Sequence, residues 1–211
     1  MTTGAEINRN GRKFEQVLEG ARRIFLADGF EGANVDDIAR AAGVSKATLY
    51  SYVPDKRVLF MEVARTECRR QSDEAVELID DTAPPDTVLR AGARRLIGIL
   101  MSDFSKSMFR ICMAESHRFP ELGRNFYESG PALGRERFSG YLRRAAARGE
   151  LVIDDFDLAA DQFIELCKAD IFLRVLCGII PAPTEADVTR VVEGAVSTFL
   201  ARYGAAVDAR G

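Results

Sequence analysis

Apolar residues recur at intervals of three and four along almost the whole chain, and this spacing constrains the fold more than any other feature. At 3.6 residues per turn it gathers side chains on one face of an α-helix, whereas a half-buried strand needs alternation at two. Phe14, Val17, Leu18, Ala21, Ile24 and Phe25 form one stripe, which Gly29 is placed to stop. Val35, Ile38, Ala39 and Ala42 form the next, with Asn34 as its N-cap and Gly43 at its end. Beyond Pro54, Asp55 can cap a long helix through Val58, Leu59 and Val63 to about Ile79, where "DTAPPD" at 81–86 breaks the chain.

Further helices are expected from Asp86 through Val88, Leu89, Leu96, Ile97 and Leu100, and from about Phe104 to Arg118 ahead of Pro120. Another, interrupted by "SGPALG", runs to Ala147 and stops at Gly149, and the next runs from near Asp157 to about Leu176. The last opens with "TEAD", where Thr184 and Asp187 make a variant capping box, and it reaches about Tyr203. The tail "GAAVDARG" is expected to fray. The fold class is all-α. A three-helix unit over 1–62, with a flexible N-terminal arm, is joined by a continuous helix to a larger helical body over 63–211.

Within that frame "VDDIARAAGVSKATLYSYVPDKRVLF", from Val35, stands apart. Its second helical piece, "SKATLYSY", has one large aliphatic residue, two tyrosines, a lysine and three hydroxyl side chains, too polar for a helix buried on all sides. Helix, tight glycine turn, helix is the geometry that sets a second helix into the major groove of DNA. Ala39 lets the two helices approach, Gly43 turns the chain, and Val44 and Leu49 hold the second helix to the unit. Ser45 can cap that helix. Lys46, Ala47 and Tyr50 then share an arc of about 100°. They offer a cation for a guanine edge or a phosphate, a small surface for a thymine methyl, and a ring with a hydroxyl. Thr48, Ser51, Tyr52 and Lys56 flank them and can meet phosphates.

Residues 12–60, and this stretch above all, resemble the DNA-binding domain of the TetR family of bacterial transcriptional regulators. "MAESHRFPELGRNFYESGPALGRERFSGYLRRAAARGEL" resembles the C-terminal domain of the AefR-like members of that family. The resemblance implies a dimer whose first three helices bind double-stranded operator DNA and whose larger domain binds a small-molecule inducer. It places Lys46, Ala47 and Tyr50 at base-facing positions, and Asn34, Ser45, Thr48, Ser51, Tyr52 and Lys56 at phosphate-facing ones. Asn34 departs from the family's usual threonine, Ser51 and Tyr52 from a Tyr-His pair, and Val53 from a frequent phenylalanine.

An inducer of this kind needs a lining. The expected one is apolar and aromatic, in the helices of roughly 86–148 and the start of the following pair: Leu96, Leu100, Phe104, Met108, Cys112, Phe126, Tyr127, Phe138, Tyr141 and Phe172. It suits a small hydrophobic or amphipathic ligand. Segments 157–176 and 184–203 carry apolar residues on more than one face, among them Leu158, Phe163, Leu173, Val188 and Phe199, so a homodimer pairing them is expected.

The formal net charge of the 211 residues is -3, so a DNA site must be local in the charge map. Up to Glu62, nine cations from Arg9 to Arg57 are balanced by nine acids, which predicts a shallow salt dependence. The arm with Arg9, Arg12 and Lys13 reads equally as a minor-groove or phosphate contact and as a solvated tail. No run approaches the roughly 20 apolar residues that span a bilayer, and the polar start is not a signal peptide, so a cytoplasmic location and no membrane partner are expected. Cys68, Cys112, Cys167 and Cys177 form no CxxC pair and read as reduced thiols packed in helices, so no metal and no cofactor is expected.

Glu115, Ser116 and His117 are neighbours on one helix and cannot converge as a triad. His117 reads as a surface or helix-end residue, with pocket lining the alternative. Asp154, Asp155 and Asp157 read as solvated residues around a helix start, with a cation site the alternative. An enzyme is not expected, because no catalytic constellation, phosphate loop or metal spacing is present. The leading function is a ligand-responsive regulator, most simply a repressor. The competing one is a DNA-binding regulator controlled by a protein partner, or constitutive, with a filled body.

Overall fold

A computed structural model describes residues 11–70 in full, the backbone of 71–77, and residues 83–205. Its helices are α1 (Phe14–Gly32), α2 (Val35–Ala41), α3 (Lys46–Tyr52), α4 (Lys56–Glu77), α5 (Pro85–Met101), α6 (Asp103–Glu115), α7 (Pro120–Ser129), α8 (Pro131–Ala147), α9 (Phe156–Leu166), α10 (Ile171–Leu176) and α11 (Glu185–Tyr203). Among the described residues the extended pairing is an isolated antiparallel bridge between Leu151 and Gly204. The expectations for Arg9, for a helix end near Ile79, for Asp81 and Thr82, and for the tail beyond Ala205 lie outside the described residues.

Two compact units divide the chain. The first takes Met1–Gln71 and Asp103–Pro131, the second Ser72–Ser102 and Ala132–Gly211. The first unit thus holds α6 and α7 as well as the N-terminal helices, whereas a reading along the sequence divides the chain at 62/63.

In the first unit the apolar stripes converge on one core. Val17, Ala21, Phe25, Ile38, Leu49, Leu59 and Phe60 are buried there with Phe104, Met108 and Leu122. Phe60 meets Phe25 edge-on at 4.9 Å and Phe104 at 5.0 Å, so α1, α4 and α6 share an aromatic centre. α1 runs to Gly32, with the helical conformation broken at Gly29, where φ is 69°. Asp55 starts α4 as expected, its Oδ1 accepting from the Arg57 N–H at 2.8 Å and the Val58 N–H at 3.0 Å.

The second unit buries Leu89, Ile97, Tyr141, Leu142, Phe163, Ile171, Val192, Val196 and Phe199. α11 opens with the expected capping box. Thr184 Oγ1 accepts from the Asp187 N–H at 3.2 Å, and the Asp187 carboxylate accepts from the Thr184 N–H at 2.9 Å.

Three expectations need correction. The single helix over 157–176 is two, because Asp170 adopts φ 64° between α9 and α10. With ψ at -52° this is a γ-turn, closed by the Ile171 N–H donating to Ala169 O at 2.8 Å. The Asp170 carboxylate also accepts from Arg174 at 3.3 Å and from Arg190. The interruption at "SGPALG" is confined to Gly130, since proline at N1 starts α8 at once and Gly134 lies inside that helix. The apolar side chains of α11 are no surplus, for Val191, Val192, Val196 and Phe199 are buried in their own unit's core. On the α9–α10 segment Phe163, Ile171 and Val175 are likewise buried, while Leu158 stays 51% and Leu173 68% exposed.

Candidate nucleic-acid interface

The turn between α2 and α3 is built from local hydrogen bonds. Asn34 Oδ1 accepts from the Asp36 N–H at 2.9 Å and starts α2. Gly43 takes φ 65°, which a Cβ would disfavour, and its N–H donates to Arg40 O at 3.1 Å. The Val44 N–H returns to Ala39 O at 3.0 Å. Ser45 Oγ then accepts from the Thr48 N–H at 3.1 Å and starts α3. Leu49 and Val53 are buried, so α3 is held to the core by one side and stays open on the other.

That open side carries Lys46, Ala47, Tyr50 and Ser51, all exposed, with Thr48 half-buried. Ser51 Oγ donates to Thr48 O at 2.6 Å, and Asn34 is exposed one helix away. Two expected phosphate-facing side chains also have structural work. Lys56 Nζ donates to Phe30 O at 2.8 Å and Ala33 O at 3.1 Å, and lies 4.4 Å from the Phe30 ring centroid, so it ties the end of α1 to the start of α4. Tyr52 is half-buried, its ring 6.0 Å from that of Phe14, and its hydroxyl accepts from the Lys13 N–H at 3.3 Å.

Several residues of this unit escape a reading of the sequence. Gly20 lies where a Cβ would come within 2.6 Å of the Ala42 backbone nitrogen, so α1 and the end of α2 touch through the missing side chain. The signal for it is a glycine inside a helical stripe. Arg23 caps the end of α2 by donating to Ala41 O at 2.6 Å. Asp36, in the first turn of α2, pairs with Lys46 at 3.1 Å. Glu62 and Glu67 are each only 2% exposed. Glu62 accepts from Arg65 at 2.7 Å, and Glu67 from Arg22 at 2.8 Å and from Arg70. Their i,i+3 spacing is visible in the sequence, but their burial is not.

The expected ligand lining divides between the units. Phe104, Met108 and Cys112 are buried on α6, Phe126 packs half-buried with Phe109 at 6.1 Å, and Tyr127 is 49% exposed, all in the first unit. Leu96, Leu100, Phe138, Tyr141 and Phe172 belong to the second, with Phe138 stacked 5.0 Å from Phe163 and Tyr141 fully buried. His117 is exposed in the turn after α6. Asp155 is the N-cap of α9, and Asp157 accepts from Ser139 at 2.9 Å and Arg143 at 3.3 Å. All four cysteines are free. Cys112 and Cys167 are buried and Cys68 half-buried, but Cys177, expected to pack, is exposed at the end of α10. Among the described residues no group of three or more His, Cys, Asp or Glu side chains is placed to hold a metal ion, and no helix is long and apolar enough to cross a membrane.

A small three-helix head with a glycine turn and an exposed polar helix after it, in a chain whose remaining elements are also helical, defines a helix-turn-helix DNA-binding regulator. The chain belongs to the TetR family: residues 17–63 match the bacterial regulatory proteins of the tetR family, and residues 87–205 match the AefR-like transcriptional repressor C-terminal domain. The HTH-type transcriptional repressor AcnR of Corynebacterium efficiens is 36% identical over 63 residues, covering 30% of this chain and 34% of that one. The chain thus spans about a third of the length of that relative. A TetR-family transcriptional regulator from Mesorhizobium loti MAFF303099 superposes with a TM-score of 0.79 at 28% identity, over 93% of this chain and 99% of the other. The flavonoid-responsive regulator FrrA superposes with a TM-score of 0.69 at 34% identity, over 95% of this chain and all of the other, 100%.

Proposed function

We propose that the protein is a repressor that binds operator DNA as a homodimer and is released by a small hydrophobic or amphipathic molecule. It works in the cytoplasm and catalyses no reaction. The observation that carries this reading is the face of α3. Lys46, Ala47 and Tyr50 stand exposed together on a helix capped by Ser45 and anchored by Leu49. Asn34, Thr48 and Ser51 flank them as phosphate partners, and Lys56 and Tyr52 combine that role with holding the ends of α1.

Repression is supported by the likeness to AcnR, and control by a small molecule by the likeness to FrrA. Coupling to a ligand has a physical route inside the first unit. α6 carries Phe104, Met108 and Cys112 of the expected lining and packs directly on α1. A ligand that displaces α6 disturbs the helices that hold α3. A coupling of about 1–3 kcal/mol suffices to change operator affinity roughly 5–150-fold, and it is reciprocal. A dimer would cover Leu158 and Leu173, and its two-fold axis would set two copies of α3 about 34–36 Å apart, or a multiple, for successive major grooves.

The test is genome-wide mapping of the DNA bound by the full chain, followed by titration of the strongest fragment with the small molecules that the adjacent genes act on. Release by one of them is the expected result. Binding that none of them alters, or that only a protein relieves, would contradict control by a small ligand.

A further inference from the structure

The Lys46–Asp36 pair sits on the face that the proposed function assigns to DNA, and it joins the first turn of α2 to the first residue of α3. The ammonium lies 3.1 Å from Oδ1 and 3.1 Å from Oδ2 of the carboxylate. Both side chains are about half exposed, 51% and 54%, so both keep hydrogen-bonding capacity toward the outside. The ammonium has three N–H donors and each carboxylate oxygen has a second lone pair. The two helices therefore present a donor and an acceptor side by side, about 3 Å apart, next to the exposed Ala47.

An acid there is poorly suited to a phosphate site. A carboxylate against Lys46 lowers the attraction of the ammonium for any phosphate, and its own charge repels the backbone. What the pair does match is the major-groove edge of one base pair. In G·C, guanine O6 is an acceptor and cytosine N4–H₂ a donor. Because the two are hydrogen-bonded to each other, they lie about 2.9 Å apart. Guanine N7 beside O6 gives the ammonium a second acceptor. A T·A pair also sets an acceptor, thymine O4, beside a donor, adenine N6. It places the C5-methyl next to O4, however, and lacks the second acceptor on that side.

We propose that Asp36 is a specificity-determining residue which, with Lys46, reads one G·C pair in each half-site, Lys46 donating to guanine O6 and N7 and Asp36 accepting from N4–H of the paired cytosine. This rests on the reading of α3 as the recognition helix. The acid sacrifices affinity for arbitrary DNA and adds discrimination.

Selection from a random-sequence duplex library by the full-length protein, its Asp36→Ala variant and its Lys46→Ala variant tests this. Asp36 is exposed and its backbone N–H keeps the Asn34 cap, so the substitution leaves the fold in place. The wild type should enrich a motif with one invariant G·C pair per half-site. Asp36→Ala should keep the rest of the motif and relax that one position, losing roughly 5- to 150-fold discrimination. It should also bind unselected duplex more tightly, with a steeper salt dependence. Lys46→Ala should relax the same position. If Asp36→Ala keeps the preference at every position, or relaxes a different one from Lys46→Ala, the role of Asp36 is overturned while α3 remains the reading helix. If the wild type enriches no motif, the assignment of α3 falls and this inference with it.

Discussion

Arg57 and Glu115 form an ion pair, Nη1 to Oε1 at 2.9 Å, that fastens the start of α4 to the last residue of α6 within the unit that carries α3. Arg57 is also held by Asp55, the residue that caps α4, at 3.3 Å. With the Phe60–Phe104 ring contact at 5.0 Å, α6 is held to α4 by a polar contact at its end and an aromatic one at its start.

The polar attachment should be weak on its own, because both side chains are partly solvated. A double-mutant cycle with Arg57→Ala and Glu115→Ala, read by urea unfolding, should return a coupling of roughly 0.2–1 kcal/mol. Phe104→Ala should cost far more, about 3–5 kcal/mol, since it empties part of a buried core. A cycle with no coupling would mean that Glu115 does not fasten α6.

Gly20→Ala is expected to destabilise the head by about 1–3 kcal/mol, because the added methyl meets Ala42 backbone rather than a yielding side chain. Ala42 leads straight into the turn at Gly43, so DNA binding should weaken as well. Urea midpoints for the variant and wild type that coincide would show that α1 and α2 can separate without cost.

The α9–α10 segment offers a test of assembly. Leu158→Glu and Leu173→Glu replace side chains that are mostly exposed, so neither should lower the thermal midpoint of the isolated fold appreciably. Both should shift sedimentation from dimer toward monomer at micromolar concentration. A dimer unaffected by either substitution would move the interface elsewhere.

Burial pushes the Cys68 thiol up to about 11 and the Cys167 thiol up to about 12, from an ordinary value of 9.0. A thiol whose folded value is raised contributes stability that is complete below its unfolded value and is lost as the pH rises toward the folded value. The stability difference between wild type and Cys167→Ala should therefore be constant up to about pH 9 and shrink from there toward pH 12. A difference that stays level across that range would show Cys167 to be solvated.

Much of this architecture is legible in the chain because it is local. Helix spacing, the caps at Asn34, Ser45, Asp55 and Thr184, and the turn at Gly43 are set by residues a few positions apart, and each stands in the structure where the sequence places it. The face of α3 follows from helical geometry alone, so Lys46, Ala47 and Tyr50 are legible too. What periodicity does not carry is tertiary. Asp36 and Lys46 are ten positions apart on separate helices, Lys56 reaches back to Phe30 and Ala33, and α6 joins the first unit across an intervening α5. The break at Asp170 was hidden for a different reason. Its apolar neighbours keep a helical rhythm on both sides, and a γ-turn centred on one aspartate leaves no mark on that rhythm.

The central claim is that the exposed face of α3 reads operator DNA. The most direct measurement is the affinity of the full chain and of a Lys46→Ala, Tyr50→Ala double variant for the strongest genomic fragment, at one fixed salt concentration, with unselected duplex as competitor. The wild type should bind the fragment in preference to the competitor. The double variant, with an unchanged helical spectrum, should lose at least about 5-fold in affinity and much of that preference. A double variant that binds the fragment as tightly and as selectively as the wild type would contradict the account.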